Sequence, residues 1–217
     1  MVVKSYYISG LKLGIFIIVG LLLINYLIDQ KRIDKLNEEF LENSWDMEDS
    51  RLFLLFTNFI KSEDSNSYCG LLGERLTQIA NTNTKFLEKL NEYEKVNIFS
   101  NDYKKLKTTF SLRNLELFFY YSDYKKSCKQ DVHYILYFYP NDQECLDCKV
   151  QANILDNVRD KCNNTVVFAF PNNSDVNVIN LLVLRYNITQ VPSIVIDGKD
   201  TFSGVTDKEK ILKILNC

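Results

Sequence analysis

Two cysteines, Cys145 and Cys148, follow an uninterrupted apolar run, Tyr134–Tyr139, and this arrangement constrains the fold more than any other feature of the sequence. The apolar run predicts a buried strand, and the residues after Cys145 have the spacing of a helix. Thiols separated by two intervening residues at such a junction can close a disulfide within one helical turn. The helix N-terminus beside them stabilises a thiolate. The pattern therefore indicates thiol–disulfide chemistry.

The segments after this pair alternate between helix and strand periodicity. Residues 148–162 have a helical apolar face, and residues 166–170 form a second apolar run. Strand, helix and strand predict a βαβ unit with parallel strands. A helix over residues 175–186 is expected next, followed by a hairpin with a type I′ turn at Asp197-Gly198. A final helix over residues 206–215 would cover one face.

The region before the first strand is predicted to be helical. No proline precedes Pro140, so helices can run long. Apolar residues recur at helical spacing over residues 44–59, 68–96 and 101–127. The last two segments are interpreted as an antiparallel hairpin that turns near Phe99.

Cys69 and Cys128 are expected side by side at the open end of this hairpin. Each lies about 30 residues from the turn, hence about 44 Å away at about 1.5 Å rise per residue. A disulfide between them would stabilise the hairpin by up to several kcal/mol. Two half-buried free thiols are the alternative.

The first 28 residues predict a membrane anchor. Residues 13–28 carry no charge, and the stretch from Tyr6 is interrupted only by Lys12. About 23 residues suffice to span a hydrocarbon core of about 30 Å. A cleaved signal peptide or a buried helix is the alternative. The expectation is a single-pass membrane protein whose C-terminal domain is extracytoplasmic, because a structural disulfide requires an oxidising compartment.

The order of elements resembles the thioredoxin fold, with Cys145 and Cys148 opening the first helix and Val191-Pro192 preceding the hairpin. Together with the anchor and the helical hairpin, the chain is similar to membrane-anchored thioredoxin-like proteins of prokaryotes, archaea among them. The expected domains are a transmembrane anchor, an all-α hairpin region and a thioredoxin-like α/β domain, at residues 1–28, 29–130 and 131–217.

The resemblance implies a role for each matched residue. Cys145 would be the exposed nucleophile, and Cys148 the buried cysteine that resolves the mixed disulfide. Pro192 would be a cis proline opposite the cysteines, and Val191 before it would align an extended substrate strand. The implied partners are protein thiols and disulfides, and no cofactor is expected.

The sequence departs from thioredoxin itself in features that bear on redox poise. The Trp-Cys-Gly-Pro-Cys motif is absent, and the strand before the cysteines carries no acid to take the resolving cysteine's proton. The carboxylates of Asp142, Glu144 and Asp147 lie near Cys145 in sequence, with Lys149 as the nearby cation. Such carboxylates disfavour a thiolate and stabilise the disulfide. A reductase-like or isomerase-like poise is therefore expected, not that of a strong oxidant.

Composition and the remaining cysteines limit other interpretations. A zinc half-site would need two more ligands, and the chain has one His, no second CxxC and no HxxxH, so no metal is expected. A formal net charge of −2 provides no basic field for nucleic acid. Cys162 and Cys217 are expected at opposite edges of the sheet, so no disulfide is expected between them. The oligomeric state is left open.

Two functional interpretations remain. In the first, the protein is a membrane-anchored thiol–disulfide oxidoreductase that acts through Cys145 and Cys148. In the second, the thioredoxin fold is a non-catalytic binding module with a static disulfide, and the hairpin docks a partner through the aromatic residues 118–121. Loss of disulfide reduction on a Cys145→Ser substitution would favour the first.

Overall fold

The computed structural model of the 217-residue chain describes residues 18–20, 22–24, 26–27, 45, 48–97, 101–141 and 144–217. The chain divides into two compact units, Met1–Phe59 and Ile60–Cys217. The described residues of the first unit are helical, with a continuous stretch over residues 48–59. The second unit contains a pair of long helices and a sheet. The division into three domains at residues 28 and 130 stays a prediction.

The prediction of a transmembrane anchor is wrong. No helix in the described part of the chain is long and apolar enough to cross a membrane. Residues 1–17 lie outside the described residues, and the described members of the predicted anchor all fall between Ile18 and Leu27. The single-pass membrane localisation and the extracytoplasmic C-terminal domain are corrected with it.

Helices α1 (Ser65–Asn97) and α2 (Asn101–Ser127) lie antiparallel in the second unit. Two contacts define the direction, because Tyr68 near the start of α1 donates to Asp123 near the end of α2, and Arg75 pairs with Glu116 at 3.9 Å. The buried positions recur at helical spacing, which is why these segments form helices that pack along their length. The apolar ones are Tyr68, Leu72, Leu76, Ile79 and Leu90 in α1, and Tyr103, Leu115, Leu117, Phe118 and Tyr120 in α2.

The sheet has four strands in the order β2-β1-β3-β4. Strand β2 is parallel to β1, β3 is antiparallel to β1, and β4 is antiparallel to β3. The elements follow along the chain as β1 (His133–Tyr139), α3 (Leu146–Lys161), β2 (Thr165–Pro171), α4 (Asn177–Arg185), β3 (Ser193–Ile196), β4 (Asp200–Ser203) and α5 (Lys208–Leu215). The predicted βαβ unit, β1-α3-β2, is confirmed.

Helices cover the central strand on both faces. On one face, Ile135 and Tyr137 of β1 belong to a core cluster with residues of α3 and α5. On the other face, the ring of Phe118 from α2 packs against Tyr134 and Phe168, at centroid distances of 5.4 and 5.6 Å. Burial on both faces explains why the sequence of β1 is a continuous apolar run rather than an alternating one.

The prediction that Cys162 and Cys217 lie at opposite edges of the sheet, without a disulfide between them, is wrong. The structure joins them in a disulfide, with their Cα atoms 5.9 Å apart. Because β1 and β4 are both antiparallel to β3, they are parallel to each other. Helices α3 and α5 follow these two parallel strands and therefore return to the same edge of the sheet. Cys162 ends α3 and Cys217 follows α5, so the two sulfurs meet at that edge.

The turn between β3 and β4 is linked to helix α2 by a partly buried cluster of charged side chains. Asp197 and Gly198 have φ values of 50° and 70°, as a type I′ turn requires. The Asp197 carboxylate accepts from the Tyr134 N–H at 3.0 Å and contacts Lys125 at 2.9 Å and His133 at 2.6 Å. Burial alone would raise the pKa of Asp197, but the hydrogen bonds from Lys125, the Tyr134 N–H and His133 together lower it.

This cluster predicts a pH-dependent contribution to stability. The folded pKa of Asp197 lies below its unfolded value of about 3.9, so the stabilisation is present above that pH and is lost as the pH falls through the folded pKa. Asp197→Asn keeps the turn preference but removes the charge. We expect it to lower the free energy of unfolding by about 2 kcal/mol at neutral pH.

Urea unfolding between about pH 2 and 7 measures this effect. In the Asp197→Asn variant, the free energy of unfolding should fall less steeply below about pH 4 than in the wild type. Asp200→Asn, at an exposed position on β4, is the matched control. If both variants weakened the pH dependence of the free energy of unfolding equally, the assignment of this effect to Asp197 would be contradicted.

Candidate functional site

Cys145 and Cys148 lie beyond the carboxyl end of β1, where α3 begins. Cys145 is the N-cap of the helix, with extended backbone at φ −133° and ψ 102°, and its sulfur accepts a hydrogen bond from the Cys148 N–H at 3.1 Å. The two cysteines form a disulfide with their Cα atoms 5.2 Å apart. The helix end thus aims an N–H donor at the sulfur of Cys145, which favours negative charge there.

The two sulfur-bearing residues differ in exposure. Cys145 is partly exposed, whereas Cys148 is 6 % exposed and belongs to the core cluster beneath α3 and α5. The hydroxyl of Tyr137 on β1 donates to the Cys148 carbonyl at 2.8 Å and holds the first turn of α3 on the sheet. Burial raises the pKa of Tyr137 to about 12, so this donor keeps its proton at neutral pH. An accessible sulfur is therefore paired with a shielded one.

The peptide bond between Val191 and Pro192 is cis. Pro192 is buried, and its carbonyl accepts from the Gly204 N–H at 2.8 Å, so it is held between β3 and the end of β4. Val191 lies with Cys145 in one shallow groove of about 340 Å³. The groove is lined by Pro140, Glu144, Cys145, Leu146, Asp147 and Val191. Two chain segments more than forty residues apart thus meet at the partly exposed cysteine.

Cys69 and Cys128 are not part of this groove. They form a disulfide with their Cα atoms 5.7 Å apart. Cys128 precedes the amino end of β1, whereas Cys145 follows its carboxyl end. The helical region still reaches the site through another residue, because Lys107 of α2 donates to the Asn141 carbonyl at 3.0 Å, in the loop that leads to Cys145.

The charged side chains that line the groove beside Cys145 are both acidic. Glu144 and Asp147 are exposed on the groove, and neither forms an ion pair with another described residue. Asp142, the third predicted member of the acidic group, lies outside the described residues. Lys149 is exposed in the first turn of α3. In the described part of the chain, no group of three or more His, Cys, Asp or Glu side chains could hold a metal ion.

Gln151 is a buried residue of the site region that the sequence-based reasoning missed. Its side chain is 0 % exposed, and its Oε1 accepts the Thr206 N–H at 2.6 Å, which links α3 to the loop before α5. The signal was present in the spacing, since Cys148, Gln151, Leu155 and Val158 follow one helical face and all four are buried. A glutamine in that row is a polar group inside the core.

Part of the chain is similar to known proteins. Residues 141–216 match the family model Thioredoxin_3, a thioredoxin domain. Chloroplastic thioredoxin z is similar at 22% identity, over 41% of this chain and 80% of that chain, with a TM-score of 0.33. Oxidised thioredoxin from Plasmodium falciparum is similar at 17% identity, over 44% and 88%, with a TM-score of 0.32. No curated protein matches the chain.

The family match makes the C-terminal region a thioredoxin-like domain, preceded by a helical region. The thioredoxin-domain match and the Cys145–Cys148 disulfide together indicate, at a coarse level, a function in thiol–disulfide redox chemistry. The expected prokaryotic or archaeal origin finds no support in these comparisons.

Proposed function

We propose that the protein is a thiol–disulfide oxidoreductase with a reductase-like or isomerase-like poise, acting through Cys145 and Cys148. One observation carries the proposal: the partly exposed Cys145 caps α3, is bonded to the buried Cys148, and shares a groove with Val191 beside the cis proline. This arrangement leaves a single sulfur open to a substrate disulfide and keeps its partner within reach.

In the proposed reaction, the reduced protein gives two electrons to a substrate disulfide. The Cys145 thiolate attacks one substrate sulfur, a mixed disulfide forms, and the other substrate sulfur leaves as a thiolate. Cys148 then loses its proton and attacks the Cys145 sulfur, which releases the second substrate thiolate and forms the Cys145–Cys148 disulfide. A dithiol donor returns the two electrons to the protein. The Cys148 N–H beside Cys145 favours its thiolate in the first step.

The groove supports a protein partner rather than a small molecule. It is shallow, and Leu146 between the two cysteines is 76 % exposed, so it offers apolar surface to a partner instead of a closed pocket. In the proposal, Val191 aligns an extended substrate strand and Pro192 holds Val191 in place. These are roles that a broad, open surface can fill.

Insulin reduction with dithiothreitol as donor tests the function. The wild-type protein is expected to speed the precipitation of reduced insulin by about tenfold or more over dithiothreitol alone, because a positioned thiolate attacks disulfides faster than a free thiol. A rate equal to that of dithiothreitol alone would contradict the proposal.

The acidic groove predicts a low reduction potential. Carboxylates of Glu144 and Asp147 disfavour the Cys145 thiolate and so stabilise the disulfide, and we expect a potential below about −150 mV. The double substitution Glu144→Gln and Asp147→Asn should raise the potential by about 20 mV, because each exposed charge acts with less than about 1 kcal/mol. Equilibration with glutathione buffers, followed by alkylation and mass spectrometry, measures the potential of this pair separately from the other two disulfides.

Asp160→Asn, exposed at the far end of α3, is the matched control for the charge effect. It should leave the potential unchanged, and high salt should shrink the shift of the double variant. A wild-type reduction potential above about −150 mV, or a lower potential in the double variant, would contradict the prediction that these carboxylates lower the reduction potential.

A specific feature favours docking as a second candidate function. A groove of about 670 Å³ lies between α2 and α4, and three of its apolar side chains are exposed: Phe119, Val178 and Leu181. Phe118 and Tyr120, by contrast, are buried in the packed core. A protein that leaves insulin intact and keeps Cys145–Cys148 oxidised in reducing glutathione would favour this binding function instead.

A further inference from the structure

Gln151 carries a buried amide nitrogen without a partner. Its Oε1 is engaged by the Thr206 N–H, which sets the orientation of the amide, because the opposite orientation would bring two donors together. In the described part of the chain, Nε2 has no hydrogen-bond partner and is buried. A buried donor left unpaired destabilises a fold, so a partner formed in another state of the site would account for it.

Cys148 is the reacting group on the same face of α3. Residues three apart share a helix face, and helical side chains lean towards the N-terminus, so the side chain of residue 151 covers the turn that contains residue 148. In this structure the Cys148 sulfur is bonded to Cys145. Reduction frees that sulfur, and its thiolate forms at a position that is 6 % exposed, where water is scarce. A buried thiolate needs a donor.

We propose that the Gln151 carboxamide donates a hydrogen bond from Nε2 to the Cys148 sulfur after reduction and stabilises the resolving thiolate. The inference rests on the proposed function for its biological meaning. It supplies the polar group that β1 lacks, since the strand beneath the cysteines, His133–Tyr139, contains no carboxylate. With the thiolate stabilised, Cys148 attacks the Cys145 sulfur of the mixed disulfide, and the bond to the substrate breaks as the internal disulfide forms.

The Cys145→Ser background isolates the effect, because it leaves Cys148 as the one free thiol while the other four cysteines remain in disulfides. Thiolate absorbance at 240 nm, followed against pH, gives the pKa of Cys148. Adding Gln151→Met, which keeps the length of the side chain but removes the donor, is expected to raise that pKa by about one unit or more. Gln151→Leu, measured in parallel, should shift it in the same direction.

Asn153→Met, at an exposed position of the same helix, is the control and should leave the Cys148 pKa unchanged. Far-ultraviolet circular dichroism verifies that each variant is folded. An unchanged Cys148 pKa in a folded Gln151→Met or Gln151→Leu variant would overturn the inference. The measurement is independent of insulin reduction, so a protein that fails the insulin assay yet shows the pKa shift would lose the proposed function and keep this hydrogen bond.

Discussion

Replacing Cys145 by serine is expected to lower the protein-dependent rate of insulin reduction, taken above the rate with dithiothreitol alone, by more than about 100-fold, because a hydroxyl is a far weaker nucleophile than a thiolate at neutral pH. Cys145 is the partly exposed sulfur of the pair and lines the groove with Val191. Cys148 is buried, so it cannot replace Cys145 in the attack on a protein disulfide. The loss should therefore be nearly complete rather than partial.

The companion substitution Cys148→Ser should behave differently. Cys145 can still attack, but the mixed disulfide has no internal thiol to resolve it, so a covalent complex with the substrate should accumulate. Non-reducing gel electrophoresis and mass spectrometry detect this complex, and Cys145→Ser should form none. A Cys145→Ser variant that retains more than a tenth of the wild-type protein-dependent rate, after the dithiothreitol background is subtracted, would refute the assignment of the nucleophile.

The double variant Cys162→Ala and Cys217→Ser is the control for both. It removes a disulfide at the opposite edge of the sheet from Cys145, so folded protein should keep its insulin activity. A loss equal to that of Cys145→Ser would mean that the assay reports folding rather than chemistry.

Removing the Cys69–Cys128 disulfide is expected to lower the free energy of unfolding by about 4 kcal/mol, since it closes a loop of about 60 residues in the unfolded chain. The double substitution to alanine avoids leaving one free thiol. Urea unfolding monitored by circular dichroism gives the free energy, and the slope with urea tests whether the unfolded state has expanded.

The Cys162–Cys217 pair provides a matched comparison for this prediction. Its sequence separation is 55, close to the 59 of Cys69–Cys128, so chain entropy predicts nearly the same loss for both. A loss below about 1 kcal/mol on removing Cys69–Cys128 would contradict the stabilising role. If removing the two disulfides lowered the free energy of unfolding by very different amounts, the difference would have to arise in the folded state rather than in the entropy of the unfolded chain.

Periodicity and motif order predicted the C-terminal domain well. The continuous apolar run of β1 is the pattern of a strand covered by helices on both faces, and Asp197-Gly198 has the residue types that positive φ values require. The same approach failed for the predicted membrane anchor, since the described part of the chain contains no helix long and apolar enough to cross a membrane.

Contacts between distant segments were harder to predict. The interpretation of Cys162 and Cys217 failed because it assigned the wrong relative direction to α3 and α5. That direction depends on two antiparallel pairings in succession, β1 with β3 and β3 with β4. The spacing of Gln151 with Leu155 and Val158 places it on the core face of α3, but the partner of its amide oxygen depends on the loop packed against that face.

The Cys145–Cys148 pair was apparent from the sequence alone, because strand and helix periodicities change at that point and the motif occupies the junction. The tertiary structure decided what surrounds the pair. It brought Val191 into one groove with Cys145, buried Cys148, and left the amide nitrogen of Gln151 without a partner. Local patterns set where helices and strands form, whereas sheet order and strand direction set which distant side chains meet.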